Sequence, residues 1–226
     1  MKPIVIFGAG KIAEVVLHFL LHASDRTVAA CTVDRSYFPG PEWNGLPVVP
    51  FEELAQAYPP LEYDLFVALG YQDMNKLRAM KCAEARALGY TLASYVHPLS
   101  GLPSDCIFGD NCFVMHHVMI QPRVKLGNNV FVWSGAMIGH HSEIGDDCWL
   151  TSSANISGSV SIGRGCFFAV NSTIGNNVIV GNHCFIGINA VVTQPTDDEQ
   201  VFVVESTKPF RLNSRQFLRM SRFSDL

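Results

Sequence analysis

No stretch of the sequence stays apolar for the roughly 20 residues that a membrane-spanning helix requires. Each long apolar run is cut short by a charge or a histidine. No basic N-terminal region leads into an apolar one either, so neither a leader nor membrane association is predicted and a cytoplasmic location is expected. Charged residues make up only 16% of the chain and are nearly balanced, with Lys+Arg 16 against Asp+Glu 20. A formal net charge of −4 creates no field that would gather nucleic acid, so an anionic ligand must be held by local groups. The cysteines Cys31, Cys82, Cys106, Cys112, Cys148, Cys166 and Cys184 contain no C-x-x-C pair, and no metal is expected. What is present is 48% hydrophobic, ample for substantial cores in 226 residues.

From Ile107 onward the sequence divides into fifteen six-residue units without an insertion, from IFGDNC through MIGHHS and NISGSV to VVTQPT. Position two of each unit is a sizeable apolar residue and position six is small or β-branched. Position three is often Gly, and Asn, Asp and Gly crowd the following positions, where tight corners between short strands are tolerated. This pattern predicts a hexapeptide solenoid in which three units close one triangular coil, giving about five coils from fifteen units. Residues eighteen apart then stack, with strands about 4.8 Å apart along the axis. Cys148, Cys166 and Cys184 have that spacing and are expected to form a column of small buried side chains. Both ends of such a solenoid need covering. The expected division is 1–98 for a Rossmann-like α/β domain, 99–196 for the solenoid and 197–226 for a C-terminal cap.

The chain opens with KPIVIFGAGKIAEVVLHFLLHA, an apolar strand, a glycine turn and an amphipathic helix. Gly8, Gly10 and Ala13 fit G-x-G-x-x-A, with Lys11 at the start of the helix, and Asp34 closes a second strand at the distance expected of a ribose-binding acid. A third strand, DLFVALG, ends at Gly70 and leads into a helix with Tyr71, Asn75 and Arg78 near its start. About 95 residues precede the solenoid, which suits a mononucleotide better than NAD. Gly8, Gly10, Lys11, Asp34, Gly70, Tyr71, Asn75 and Arg78 are the candidate ligand contacts, although a tight turn that binds nothing also explains the isolated glycine motif.

An α/β domain carrying GAGKIAE and GYQDMNKLR, a junction SYVHP, and a solenoid carrying MIGHHSEIGDD together resemble the bacterial nucleotide-sugar N-acyltransferases of the hexapeptide-repeat family. That group acts on UDP-, dTDP- or GDP-linked 4-amino-4,6-dideoxy sugars. The resemblance implies a left-handed β-helix and a homotrimer. It also implies a nucleotide amino sugar held by the N-terminal domain and acetyl-CoA lying between neighbouring β-helices. The family's catalytic histidine lies in I-x-H-(acid)-x-x-I-G, here Ile138-Gly139-His140-His141-Ser142-Glu143-Ile144-Gly145, which makes His140 the candidate general base. His141 stands where the family has an acid.

Imidazole, with an ordinary pKa of about 6.5, suits the proton transfer that an amine nucleophile needs. His141, His116 and His117 remain alternatives, and His97-Pro98 matches the family's domain link. One coil beyond His140, Gly158 matches the family's oxyanion donor, its N–H expected to be open. Asn171 matches a position in the CoA cleft, and turn asparagine is the competing reading. In the basic tail Lys208, Arg211, Arg215, Arg219 and Arg222, the first two are candidates for the CoA phosphates, a solvated basic face being the alternative. VVESTKPF replaces the family's Gly-x-Pro-Ala turn. The expected reaction is acetyl transfer from acetyl-CoA to a nucleotide-linked amino sugar. The rivals are O-acetylation of a sugar and a non-catalytic nucleotide-sugar-binding scaffold.

Overall fold

A computed structural model describes residues 1–221. The N-terminal part is a five-stranded mixed sheet built from β1 (Ile4–Phe7), β2 (Val28–Val33), β3 (Glu42–Trp43), β4 (Leu46–Pro50) and β5 (Asp64–Val67), in the order β3-β4-β2-β1-β5. All pairings are parallel except that of β3 with β4. Alternate residues of the strands face opposite sides, as the pleat requires. Ile4, Ile6 and Phe66 pack with Ala13, Val16 and Leu20 of α1 (Lys11–His22). Val5, Phe7 and Leu65 pack with Leu54 of α2 (Leu54–Ala57) and with Cys82 and Ala85 of α3 (Lys76–Ala87).

After β6 (Tyr95–Val96), two-residue strands recur every six residues from Ile107–Phe108 to Val191–Val192 and pair with strands eighteen residues away, except that Phe185–Ile186 also pairs with Val201–Phe202, sixteen residues on. They form three parallel sheets of five, seven and five strands, counting β6 and Val201–Phe202 on the longest. Stacked parallel sheets of this kind fit a left-handed β-helix. Position two points inward, so Val114, Val132, Leu150, Phe168 and Ile186 of one face meet Ile138, Ile156, Ile144 and Ile162 of the others in the buried interior. Position five takes the corner. From Asn111 to Asn189 each such residue has φ between 53° and 75°, which explains the Asn, Asp and Gly found there. His141 occupies one of these corners, with φ 59°.

The three faces differ in what position one carries. On the longest face Phe113, Phe131, Trp149, Phe167 and Phe185 pair in an aromatic ladder. Stacked pairs such as Phe131–Trp149 at 4.9 Å and Phe167–Phe185 at 5.1 Å run along it. The N-terminal domain covers this ladder. Its core is continuous with that of the solenoid through Phe66, Phe113 and Phe131. The other two faces carry exposed residues at position one, among them Met119, Lys125, Glu143, Ile179 and Val191.

Arg78 and its neighbours bolt the two parts together. The Arg78 guanidinium is fully buried over the rings of Phe131 (4.6 Å) and Trp149 (5.1 Å). It donates to Asn129 Oδ1 (2.8 Å), to the carbonyls of Gly70, Asn129 and Asp147, and to Asn75 Oδ1 (3.1 Å). Burial pulls its pKa down to about 10, with the charge of Cys82 and Asp147 opposing. Asn75, also buried, turns its amide toward the carbonyls of Gly165 and Cys166, and Asn111 pairs with both backbone groups of Val67.

Candidate active site

Two places on the molecule combine accessibility with chemistry. The first is a cavity of about 500 Å3 at the carboxyl ends of β1 and β2, where a parallel sheet opens toward ligands. Gly8 and Gly10 line it at the turn into α1, and Asp34 lines it just beyond β2. Gly8 has φ 121°, and a Cβ there would stand 3.0 Å from the carbonyl oxygen of Ala68, so the turn demands glycine. A Cβ on Gly10, by contrast, would meet only open space. Gly10 caps α1 without a side-chain hydrogen bond, leaving the first-turn N–H groups without a side-chain partner. Lys11, the first residue of α1, is exposed.

Asp34 Oδ1 accepts from Lys81 Nζ at 2.7 Å, and Lys81 also donates to Glu84 at 2.8 Å. Burial works against the Lys81 charge, but these two carboxylates outweigh it and hold its pKa above the usual lysine value. Tyr37 and Pro39 add an apolar wall. Gln72, which stands in GYQDMNKLR, also lines the cavity, whereas Lys81 and Tyr37 had no sequence motif to flag them.

The second glycine motif turns elsewhere, which corrects three of the expected ligand contacts. Asn75 and Arg78 have no exposed surface, and their polar groups are consumed in the domain junction. Gly70 is buried and gives its carbonyl to Arg78. Tyr71 is half exposed and lays its ring against Phe167 (4.7 Å) and Trp149 (5.4 Å) of the solenoid.

The second place is the corner at His140 and His141, both exposed. Gln121 Oε1 accepts from the His140 backbone N–H at 2.9 Å. The two rings stand nearly perpendicular, at 86°, with Nδ1 to Nδ1 at 3.1 Å. One of these nitrogens must carry the proton between them. When His140 Nδ1 carries it, Nε2 presents a lone pair and can serve as a base. His141 Nε2 lies 3.4 Å from Arg123 Nη1, a donor, and this contact suits the opposite tautomer, so it must give way when His140 Nδ1 carries the proton. Glu143 plays no part in this, being paired with Lys125 at 2.6 Å on the next strand.

Gly158 stacks on His140. A Cβ at Gly158 would stand 2.8 Å from Cε1 and 2.9 Å from Nε2 of the ring, so only glycine leaves the imidazole its place. The expectation that the Gly158 N–H is open needs correcting, because it donates to Asn176 Oδ1 at 2.9 Å. Asn176 must turn away, or share its bond, before that N–H can meet an oxyanion.

The remaining candidates are dispersed. Asn171 is an exposed corner residue with φ 59° whose amide donates to Asn189 at 2.7 Å. Lys208 and Arg211 are exposed beyond Val201–Phe202 and make no ion pair among the described residues. Arg215 and Arg219 lie on α4 (Ser214–Ser221), and Arg222 lies outside the described residues. His116 and His117 sit at the corner beside the covered face, where His116 packs on His97 and Phe19. Among the described residues no group of three or more His, Cys, Asp or Glu is placed to hold a metal, and no helix is long and apolar enough to cross a membrane.

The sequence matches the bacterial transferase hexapeptide (six repeats) family over residues 105–140, which include the His140 corner. No curated protein matches the chain in sequence. Among solved structures it is similar to perosamine N-acetyltransferase from Caulobacter crescentus, determined as a histidine-to-asparagine mutant with CoA and GDP-perosamine. The two are 26% identical, with 92% of this chain and 98% of that one covered and a TM-score of 0.82. The chain has the architecture of a nucleotide-sugar N-acetyltransferase. The same fold recurs in the acetyltransferase domain of PglB from Neisseria gonorrhoeae, solved with acetyl coenzyme A (24% identity, 88% of this chain and 95% of that one, TM-score 0.77). It recurs again in WeeI from Acinetobacter baumannii (15% identity, 89% and 96%, TM-score 0.69).

Proposed function

We propose that this protein transfers acetyl from acetyl-CoA to the amine of a nucleotide-linked amino-dideoxy sugar. The observation that carries the reading is His140, an exposed imidazole with a free Nε2 stacked over a glycine, in an architecture shared with an enzyme solved with CoA and GDP-perosamine. His140 Nε2 takes a proton from the sugar ammonium or its developing N–H, and the amine attacks the thioester carbonyl. As the tetrahedral intermediate collapses the C–S bond breaks, and the leaving thiolate takes the proton held by His140, so that CoA departs as the thiol and the base is restored. Gly158 stabilises that intermediate from its N–H after Asn176 yields.

Residues 1–98 act as a Rossmann-like nucleotide-sugar domain, with Gly8, Gly10 and the start of α1 receiving the diphosphate, Lys11 and Tyr71 near the sugar, and Asp34 on the ribose. Residues 99–196 form about five coils of left-handed β-helix, and 197–226 cap it. The His140 corner joins the two uncovered faces, whereas the nucleotide cavity lies in the domain on the third face. One chain therefore holds its cavity and its base on opposite sides of the prism. A homotrimer resolves this by bringing the His140 corner of one copy to the cavity side of the next, with acetyl-CoA between them along Asn171 and with Lys208 and Arg211 near its phosphates. Thiol release from acetyl-CoA against nucleotide sugars bearing amine or hydroxyl at the same carbon tests the reaction. Turnover with amines alone is expected, and turnover with hydroxyls alone would replace this reading with O-acetylation.

A further inference from the structure

Lys81 is the least exposed charged group at the nucleotide cavity, with 9% of its side chain accessible, and it is held from three directions. Asp34 and Glu84 accept hydrogen bonds from its ammonium, and the rings of Phe7 (5.5 Å) and Phe51 (5.4 Å) lie beneath it. Its charge is thus spent on carboxylates and is not available to a phosphate. The effect falls on Asp34: its Oδ1 is fixed, while its Oδ2 makes no hydrogen bond among the described residues and the side chain keeps 27% exposure at the cavity wall. A carboxylate oxygen held in place with a free lone pair is an acceptor in search of hydroxyl donors.

We propose that Asp34, held by Lys81, selects a ribose with a free 2′-hydroxyl, so that the acyl acceptor is a ribonucleoside diphosphate sugar and not a 2′-deoxy one. This rests on the reading of the cavity as the nucleotide-sugar site. The Gly8–Gly10 turn on the neighbouring strand marks the diphosphate position, which leaves the end of β2 one ribose away. Removing the 2′-hydroxyl leaves Asp34 desolvated beside the ligand with one donor fewer, the situation in which sites built to bind a hydroxyl reject the analogue lacking it. Lys81 does not touch the ligand; it is a positioning residue.

The test is calorimetric titration of the full chain with matched pairs, GDP against 2′-deoxy-GDP and UDP against 2′-deoxy-UDP, so that the base cancels within each pair. For the unaltered protein the ribonucleotide of each pair should bind roughly 10-fold or more tighter. Asp34→Asn should narrow the ratio to within about threefold, and Lys81→Met should narrow it similarly. Lys81→Arg, which keeps a donor toward Asp34, should preserve more of the ratio. A ratio taken within one variant does not depend on how much of it is folded, so a merely structural role for Lys81 would leave it unmoved. Equal binding of the two members of both pairs would overturn the proposal, as would a wild-type ratio in Asp34→Asn. Absence of heat with all four nucleotides would remove the cavity reading together with this inference.

Discussion

The covered face of the solenoid and the His140 corner use the same repeat for opposite ends. On the covered face position one is aromatic, and the polar groups that reach it are tied up: Arg78 makes five hydrogen bonds there, and Asn111, Asn129 and Asp147 are buried around it. At the corner the side chains are exposed, and His140 keeps one nitrogen uncommitted. A buried polar group without a partner is costly, so a junction must exhaust its donors and acceptors. A reactive group must keep one open. The number of unspent hydrogen bonds therefore separates glue from chemistry better than the residue type does.

The sharpest way to break that contrast is His140→Ala. Turnover should fall by roughly 100- to 10,000-fold, the usual worth of a general base, with thermal unfolding almost unchanged because the ring is exposed. His141→Ala should cost less, since on the proposed reading His141 acts through its contact with His140. If His141→Ala is the dead variant and His140→Ala keeps turnover, the roles of the two corner residues are exchanged.

Arg78→Ala makes the opposite test. It orphans Asn75 Oδ1 and three carbonyls, leaves Asn129 Oδ1 with Asn111 Nδ2 as its one donor among the described residues, and uncovers the Phe131 and Trp149 rings. The loss should be about 3 kcal/mol or more in chemical denaturation. In whatever remains folded at low temperature, kcat should be near that of the parent. A stable Arg78→Ala with a raised KM for the nucleotide sugar would return Arg78 to the ligand.

Gly158→Ala sharpens the comparison within the corner. Its Cβ would enter the space of the His140 ring, and the exposed imidazole can swing aside, so stability should change little. Displacing the base should lower kcat by roughly 10- to 100-fold. Parental kcat in this variant would mean that the ring seen over Gly158 is not the working position.

Much of this was legible beforehand, for physical reasons. The six-residue register and the corner residues follow from side-chain size and left-handed corners, which are local properties, whereas the choice of His140 rests on the resemblance of MIGHHSEIG to the family's motif. Asn75 and Arg78 were misplaced because a strand ending in glycine before a helix looks the same whether the helix start meets a phosphate or another domain. The aromatic ladder held the missing signal: Phe113, Phe131, Trp149, Phe167 and Phe185 stand at position one every eighteen residues, where the other faces are exposed. Lys81 lies 47 residues from Asp34, and no spacing rule links them. Asn176 was within reach, since Asn and Asp at position four accept from the N–H one coil below at Asp110, Asn128 and Arg164 as well.

The smallest effect is expected between these extremes, at His97, where the junction meets the next corner. Its Nδ1 accepts from the Leu99 N–H at 3.0 Å, and its ring packs on Phe19 and His116. Burial lowers its pKa below the ordinary value of 6.5, helped by the neighbouring charges of His116 and His117. The folded state then holds fewer protons than the unfolded chain as pH falls through that ordinary value. Stability contributed by neutral His97 is fully present above it, declines below it, and stops declining once pH passes the depressed folded value. Protonation would also convert Nδ1 from acceptor to donor and face it with the Leu99 N–H. Melting curves at pH 7.5 and pH 5.5 should show the parent losing more than His97→Asn, which keeps a neutral acceptor, by no more than about 2 °C. An equal loss in both would assign the acid sensitivity to other groups and leave His97 as packing alone.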